Sequence, residues 1–450
     1  MSFMDKLESS LNNLLVPIAV KLNSQRHIAA VRDAFITAFP LTMAGSIILL
    51  INFTLLDPSG FIASLLRLES IFPNLAAAQD IFTPVVNGTT NVMSIFVVYL
   101  IAKNLTRTLG GDDTFAGITA LGAFFIMYPP YVETIDGGSA LATGFLGAQG
   151  LFVAMLVGLI TGEVFHWLSN MERLQIKMPE QVPTNVAKSF SNLIPIILIL
   201  VFFSVANYLI TMIVPEGIHE LIFRTIQAPL QNLGGNVFTI MIFAFISNLL
   251  WVMGIHGPNT IAAVRDPIFT PMGLENLDFI AEAGTTVGVP YPYNWGSLND
   301  GFGNYGGSGM TLGLLIAIFI FSKREDYKNI ARLSIAPGLF NINEPVVFGL
   351  PIVLNPIMMI PFILTPMINI GIGYLAISLE LMNPIGYSVP WTTPGPLIPF
   401  LGSGGDWRGL VVGFVALGVS VLTYTPFVLA ANGALEKVAE DDSVPEDIPV

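Results

Sequence analysis

The distribution of charged residues constrains this chain more than any other feature of its sequence. Ten stretches of at least 19 residues contain no Asp, Glu, Lys or Arg: 34–56, 81–102, 114–132, 137–162, 189–215, 225–264, 301–322, 345–379, 381–405 and 409–435. A helix needs about 20 apolar residues to span the hydrocarbon core of a membrane. The sequence therefore predicts an all-α polytopic membrane protein with about ten transmembrane helices.

The overall composition excludes several classes of protein. Only 11% of the 450 residues are charged, whereas soluble domains carry about 25%. A soluble enzyme, a nucleic-acid-binding protein and a disordered scaffold are therefore excluded. An outer-membrane barrel is excluded as well, because it would show alternating segments of about ten residues. The 450 residues include no Cys, so this sequence can supply no thiolate nucleophile of its own.

Glycine and proline indicate two membrane halves with different character. Residues 1–30 are predicted to form an amphipathic helix, 31–235 a half with relatively clean spans, 236–435 a half with broken or re-entrant segments, and 436–450 an acidic cytoplasmic tail. The breaks are predicted at 255–260, 291–300, 306–309, 342–345 and 390–396. Transporters build their substrate sites from interrupted membrane helices of this kind.

Basic residues predict the orientation of the chain. If the first span runs outward, 14 of the 18 Lys and Arg residues lie on the cytoplasmic side, and the densest cluster is Lys323, Arg324, Lys328 and Arg332. Cytoplasmic loops of membrane proteins carry an excess of Lys and Arg. We therefore expect both termini in the cytoplasm.

Two ionisable residues of the second half are the strongest functional candidates. Glu344 is the only Asp, Glu, Lys or Arg between 333 and 379, and a charged carboxylate at membrane depth costs at least ~2.5 kcal/mol unless it is paired or hydrated. Glu344 is expected either to bind a polar substrate or to cap a helix that begins near Pro345. His256 is expected either to bind substrate or to be a satisfied core residue.

The remaining candidates lie in the same broken segments. Trp251 and Trp391 are expected either to stack on a sugar or to belong to an aromatic belt at the membrane interface. Asp300 is expected to bind a hydroxyl group or to cap a helix, and the further candidates for substrate binding are Asn259, Asn294 and Asn343. The sequence contains no P-loop, and none of its motifs requires a metal ion or a cofactor.

Several motifs resemble one transporter family. They are WVMGIHGP (251–258), GGSGMTLGL (306–314), FNINEPVVFGLPIVLNP (340–356) and AFITAFPLTMAGS (34–46). They are similar to the membrane subunit of a sugar phosphotransferase system, enzyme IIC of the lactose/cellobiose/diacetylchitobiose branch. The INEP and FGLP motifs are the specific part of this resemblance, which covers essentially the whole chain.

The resemblance implies a function and a site. It implies a homodimer in the inner (plasma) membrane of a bacterium, in which the first half forms the dimer interface and the second half binds a β-linked disaccharide. Glu344 and His256 would act as catalytic residues at the hydroxyl that becomes phosphorylated, and Trp251 and Trp391 would line the pocket. The phosphoryl donor would be a phosphocysteine on enzyme IIB, and the absence of Cys implies that IIB is a separate chain.

The sequence leaves the identity of the sugar and the class of transporter open. Cellobiose is the first choice of sugar, followed by diacetylchitobiose and lactose. The alternative function is an ion-coupled secondary sugar transporter, in which Glu344 or Asp300 would bind the coupling ion and the sugar would arrive unmodified.

Overall fold

The fold is that of a helical membrane protein, as the sequence predicts. The structure is a computed structural model. It describes residues 21, 24–129, 132–133, 138–179, 181–350, 352–353 and 355–441. Within these ranges the only strands are β1 (Val132–Glu133) and β2 (Ser139–Ala140), which pair antiparallel. Most of the predicted amphipathic helix and the end of the acidic tail lie outside the described residues.

The described part of the chain contains eighteen α-helices. They are α1 (Arg26–Ile51), α2 (Phe61–Leu66), α3 (Leu68–Ile71), α4 (Gln79–Asn87), α5 (Met93–Thr108), α6 (Asp113–Ile126), α7 (Leu151–Ser169), α8 (Thr184–Ile213), α9 (Gly217–Ile222), α10 (Ala228–Gly234), α11 (Val237–Val252), α12 (Gly257–Ala283), α13 (Thr311–Phe321), α14 (Glu325–Leu339), α15 (Glu344–Gly349), α16 (Pro356–Ser378), α17 (Leu397–Gly402) and α18 (Trp407–Asp441). Short π-helical turns occupy Asn52–Leu56, Phe223–Gln227 and Trp295–Asp300.

Fewer helices qualify as membrane spans than the charge-free stretches suggest. By length and composition, six described helical segments are able to cross a membrane, and a seventh is possible if Gly217–Gly234 and Val237–Val252, which meet at 78°, form one broken span. Two shorter apolar helices, Asp113–Ile126 and Ser308–Phe321, add to these. The prediction of about ten spans is therefore not confirmed.

The stretch 381–405 shows why a charge-free sequence overestimates the number of spans. It contains five prolines and five glycines, and its only helix is the six-residue α17. Proline removes a backbone donor and glycine destabilises a helix interior. Such a stretch is able to lie in apolar surroundings, but its backbone does not form a spanning helix.

The first half has its own closely packed core. Helices α1, α5, α6 and α7 bury Ala34, Val98, Ala120 and Phe124 completely or almost completely. Small residues allow the close approach of membrane helices, and the glycine at 158 illustrates this, because a Cβ there would lie 3.0 Å from the Ile101 side chain.

The second half has two further core clusters, and α12 lies between the halves. Phe302, Tyr305 and Phe362 are fully buried among helices α11, α13, α16 and α18. Leu274 of α12 belongs to the core of the first half, whereas Met272, two residues earlier, packs in the second half. The boundary at 235 stays a prediction, because α12 contributes to both cores.

Candidate functional site

The turn between α11 and α12 brings Trp251 and His256 together. Gly254 adopts a positive φ of 78° in this turn, a conformation that glycine adopts without a steric penalty. The His256 ring lies 4.7 Å from the Trp251 ring, measured between centroids. Trp251 is 3% exposed, and its indole N–H has no hydrogen-bond partner among the described residues.

His256 is held in place by a helix cap. Its Nδ1 accepts a hydrogen bond from the backbone N–H of Asn259 at 3.3 Å, so His256 is the N-cap of α12. In a neutral imidazole that accepts at Nδ1, the other nitrogen carries the proton. Because the side chain is exposed, His256 can present an Nε2–H donor to a ligand while it caps the helix.

Glu344 lies next to this pair at the start of α15. Its carboxylate is exposed and interacts electrostatically with His256. The ring of Phe348, one turn later in α15, lies 6.3 Å from the Trp251 ring. Asn343 occupies the N-cap position of α15, and no side chain caps this helix. The structure therefore brings together Glu344, His256 and Trp251, and it places Glu344 in the first turn of α15.

Asn343 has a structural contact in this conformation. It is 4% exposed, and its side-chain amide donates to the Ser308 carbonyl at 3.0 Å. This bond attaches the start of α15 to the glycine-rich turn 306–309, where Gly306, Gly307 and Gly309 all have positive φ. The chain therefore turns at 306–309, which is one of the breaks that the sequence predicts.

Asn341 is a central residue of the site that sequence reasoning missed. It adopts a left-handed conformation with φ 62°. Its side chain accepts a hydrogen bond from Gly306 N–H at 2.8 Å and donates to the carbonyls of Trp391 at 2.5 Å and Thr393 at 2.8 Å. One side chain therefore joins the glycine-rich turn to the segment that carries Trp391.

Trp391 and Asn259 lie at the edge of this arrangement. Trp391 is 46% exposed, and its backbone is bound to Asn341, three residues before Glu344. Asn259 is exposed in the first turn of α12, and its backbone N–H is already used by the cap at His256. Both side chains are thus accessible to a ligand near Glu344.

Asn294 belongs to a different location in the structure. It is 6% exposed and forms a capping box with Ser297, in which each side chain accepts from the backbone N–H of the other at 3.0 and 2.9 Å. Its side-chain amide also donates to the Tyr291 carbonyl at 3.0 Å. Its described hydrogen bonds therefore stabilise the loop that contains it.

Asp300 lies in the same part of the fold as Asn294. It ends the π-helical turn Trp295–Asp300 and accepts a hydrogen bond from the Asn299 side chain at 3.0 Å. Arg265 of α12 interacts electrostatically with Asp300, pairs with Asp266 at 2.6 Å and lies 5.1 Å from the Trp295 ring. Arg265 is about 13 Å along α12 from His256, so these charges form a second polar cluster.

The arrangement suits a polar, uncharged ligand. The exposed carboxylate of Glu344 and the exposed imidazole of His256 offer an acceptor and a donor, and the exposed Phe348 ring adds apolar surface. Among the described residues, no group of three or more His, Asp or Glu side chains could hold a metal ion. Such a combination of groups is able to bind hydroxyl groups and to accept a proton from one of them.

Comparisons with known proteins agree on one family. The family profile "Phosphotransferase system, EIIC" matches residues 32–366. The cellobiose-specific EIIC component of Lactococcus lactis subsp. lactis (strain IL1403) is 34% identical over 488 positions, covering 95% of this chain and 98% of the relative. The oligo-beta-mannoside-specific EIIC component of Bacillus subtilis (strain 168) is 36% identical over 390 positions, covering 85% of each chain. The crystal structure of ChbC, the IIC component of the N,N'-diacetylchitobiose-specific phosphotransferase system, matches with a TM-score of 0.85 at 31% identity, covering 96% of this chain and 99% of that chain.

Proposed function

The chain belongs to the EIIC family of the phosphotransferase system, and we propose that it imports a β-linked disaccharide and presents it for phosphorylation by a IIB protein. It is thus a multi-pass membrane protein and the sugar permease component of such a system. The observation that carries the proposal of a phosphorylation site is the position of Glu344. This carboxylate is exposed, begins helix α15 and lies beside His256 and Trp251.

Cellobiose is the proposed sugar, with diacetylchitobiose second and lactose third. The support for this order is the cellobiose specificity in the name of the relative from Lactococcus lactis and the diacetylchitobiose specificity of ChbC. The relative from Bacillus subtilis is named for oligo-beta-mannosides, so the measurement of specificity has to include a β-mannoside.

The proposed reaction transfers a phosphoryl group to a hydroxyl of the bound sugar. The sugar oxygen forms a bond to phosphorus while the bond between phosphorus and the cysteine sulfur of IIB breaks. The hydroxyl proton passes to Glu344, which acts as general base, and the thiolate leaves on IIB. A base within about 3 Å of the hydroxyl is required for this step. His256 Nε2–H would orient the sugar through one of its oxygen atoms.

Asn259, Asn343, Trp391, Asn294 and Asp300 complete the proposed substrate-binding set. Exposure supports a direct contact most strongly for Asn259 and Trp391. Asn343, Asn294 and Asp300 already have partners within the protein. A role for these three in binding therefore requires a change of partner during transport.

The proposal also covers the partner protein, the cellular location and the oligomeric state. The phosphocysteine belongs to a IIB protein outside these 450 residues, because they contain no Cys. The location is the bacterial inner membrane, with both termini in the cytoplasm, as the basic residues indicate. A homodimer through the first half is supported by the exposed apolar side chains of α8, such as Val201 at 54% and Leu209 at 54%, which require lipid or a second copy to cover them.

Transport into vesicles tests the function directly. Radiolabelled cellobiose is supplied outside vesicles that contain the protein, with or without the soluble phosphoryl carriers, including IIB, inside. We expect sugar phosphate to accumulate only when the carriers are present. Accumulation of unmodified cellobiose that collapses with an uncoupler would instead establish the ion-coupled alternative.

A further inference from the structure

We propose that helix α14 forms the docking surface for the phosphorylated IIB protein and that Lys328 and Arg332 are its main contacts. The inference rests on the proposed function, because both the partner and the cytoplasmic side follow from it. We use the term basic rim for Lys323, Arg324, Lys328 and Arg332, which precede or occupy the first half of α14.

The basic rim has an excess of positive charge. The four basic residues share the segment 323–332 with only two acidic ones, Glu325 and Asp326. Arg324 is bound to Asp326 at 2.6 Å and Lys328 to Glu325 at 3.1 Å. Arg332 lies 3.9 Å from Glu325 and donates a hydrogen bond to the Asn329 side chain at 2.7 Å, and its own side chain is 58% exposed. Arg332 therefore offers an accessible guanidinium to a partner.

An apolar surface adjoins these charges on the same helix. The opposite face of α14 is buried through Ala331 and Ser334, which are fully inaccessible. Leu333 is 78% exposed although it directly follows Arg332. Arginine is enriched in protein interfaces, and their central part is apolar. Arg332 and Leu333 together thus have the composition of an interface surface.

The basic rim is connected to the candidate site by a helical hairpin. After α14 the chain turns and α15 packs back on it, because a Cβ at Gly349 would lie 2.8 Å from the side chain of Ile330. Glu344, at the opposite end of α15, therefore lies towards the C-terminal end of α14. Arg332 is about 10 Å along the helix axis from Leu339, where α14 ends. A protein bound at the rim would therefore lie towards the opposite end of α14 from Glu344.

Charge explains why a basic surface is needed at this position. The donor carries a negatively charged phosphoryl group, and the site it approaches contains the carboxylate of Glu344. No Lys or Arg occurs between 333 and 379, so this segment supplies no cation to offset the repulsion. Positive charges at the rim attract an anionic partner and raise the rate of productive encounter.

Charge reversal of the rim tests the docking surface. The full-length protein in proteoliposomes is assayed for transfer of phosphate from purified phospho-IIB to cellobiose, with IIB concentration as the variable. For Lys328→Glu/Arg332→Glu we expect the KM for phospho-IIB to rise at least tenfold, with kcat at saturation and the Kd for cellobiose within twofold of wild type. Because the effect is electrostatic, the wild-type KM should also rise with salt more steeply than that of the variant.

Two control variants separate docking from folding and from net charge. Arg332→Lys retains the charge and should remain within threefold of wild type. Arg173→Glu/Lys188→Glu reverses two charges at another predicted cytoplasmic loop and should leave the KM for phospho-IIB unchanged. An unchanged KM in Lys328→Glu/Arg332→Glu, or an equal rise in the Arg173 and Lys188 variant, would overturn the docking surface alone. A wild-type protein that neither binds phospho-IIB nor supports phosphorylation of any of the sugars would overturn the proposed function and the docking surface together.

Discussion

Glu344 and His256 differ in how firmly the protein holds them. His256 is positioned by the N-cap bond to Asn259 and by the Trp251 ring at 4.7 Å. Glu344 has no hydrogen bond to the described residues, and its nearest electrostatic partner is His256. A carboxylate without a hydrogen bond to the described residues is available to bind substrate, so its replacement should affect function more than folding.

The first prediction concerns Glu344→Gln. The amide keeps the shape of the side chain but cannot accept a proton, and general base catalysis typically contributes 10²–10⁴-fold. We expect phosphorylation of cellobiose to fall at least 100-fold in an assay with saturating phospho-IIB, while the amount of protein inserted in the membrane is unchanged. Glu69→Gln, at an exposed glutamate of the first half, is the matched control and should retain full activity. Normal phosphorylation by Glu344→Gln would show that Glu344 is not the base.

Asn341, unlike Glu344, is tied to the rest of the protein, because its side chain forms hydrogen bonds with three backbone groups. In Asn341→Ala these three hydrogen bonds are lost, each worth about 0.5–1.5 kcal/mol, and alanine in a left-handed conformation costs a further ~1 kcal/mol. We expect a lower unfolding temperature in detergent and weaker cellobiose binding, because the segment with Trp391 is released. Asn341→Gly loses the same bonds without the conformational cost and should be less destabilised. Equal unfolding temperatures for Asn341→Ala and wild type would contradict this assignment.

The comparison of these residues shows what a sequence can reveal about a site. Glu344 and His256 were identifiable because ionisable side chains are rare and costly in apolar segments. Asn341 is two residues from Asn343 in the same motif. Nothing in the sequence distinguishes Asn341, which binds three backbone groups, from Asn343. Its positive φ is a property of the folded backbone. Arg265 was visible only as the residue that ends a charge-free stretch, because its partners, Asp300 and Trp295, are distant in sequence.

Among the structural elements, the glycine-rich turn 306–309 has the strictest requirements. Gly309 has a φ of 78°, and a Cβ at this position would overlap the ring of Phe362, which is fully buried. Tyr424 of α18 also donates a hydrogen bond to the Gly309 carbonyl at 2.6 Å. The turn therefore holds helices α16 and α18 together, and the stretch 301–322 cannot be one continuous helix.

Gly309→Ala should disrupt this turn. Overpacking of a core typically costs 1–3 kcal/mol, and the left-handed conformation adds ~1–2 kcal/mol for a residue with a Cβ. We expect little monodisperse protein in size-exclusion chromatography and a clearly lower unfolding temperature. Gly273→Ala in α12 is the control, because a Cβ there meets no atom within 4 Å, and alanine favours a helix over glycine. Equal behaviour of the two variants would show that the turn tolerates a side chain.

At the scale of the whole molecule, the two halves share a buried hydrophobic cluster that includes Leu49, Ile280 and Tyr387, and they also meet through two specific contacts. The backbone N–H of Ser388 donates to the hydroxyl of Ser46, which is fully buried, at 2.7 Å. The rings of Phe61 and Phe400 meet edge to face with centroids 5.7 Å apart. These contacts join α1 and α2 to the broken segments of the second half. Motion of one half against the other during alternating access would have to break them.

A reversible cross-link at this contact tests whether the halves move. The 450 residues contain no Cys, so Ser46→Cys/Ser388→Cys introduces a single pair of thiols at two residues that are in contact. After oxidation we expect uptake of cellobiose phosphate to fall at least tenfold and to return when a reductant is added. Each single cysteine variant should transport normally under the same treatment. If the oxidised double variant is fully cross-linked and still transports at the wild-type rate, the contact between Ser46 and Ser388 persists through the cycle, and the moving boundary must lie entirely within the second half.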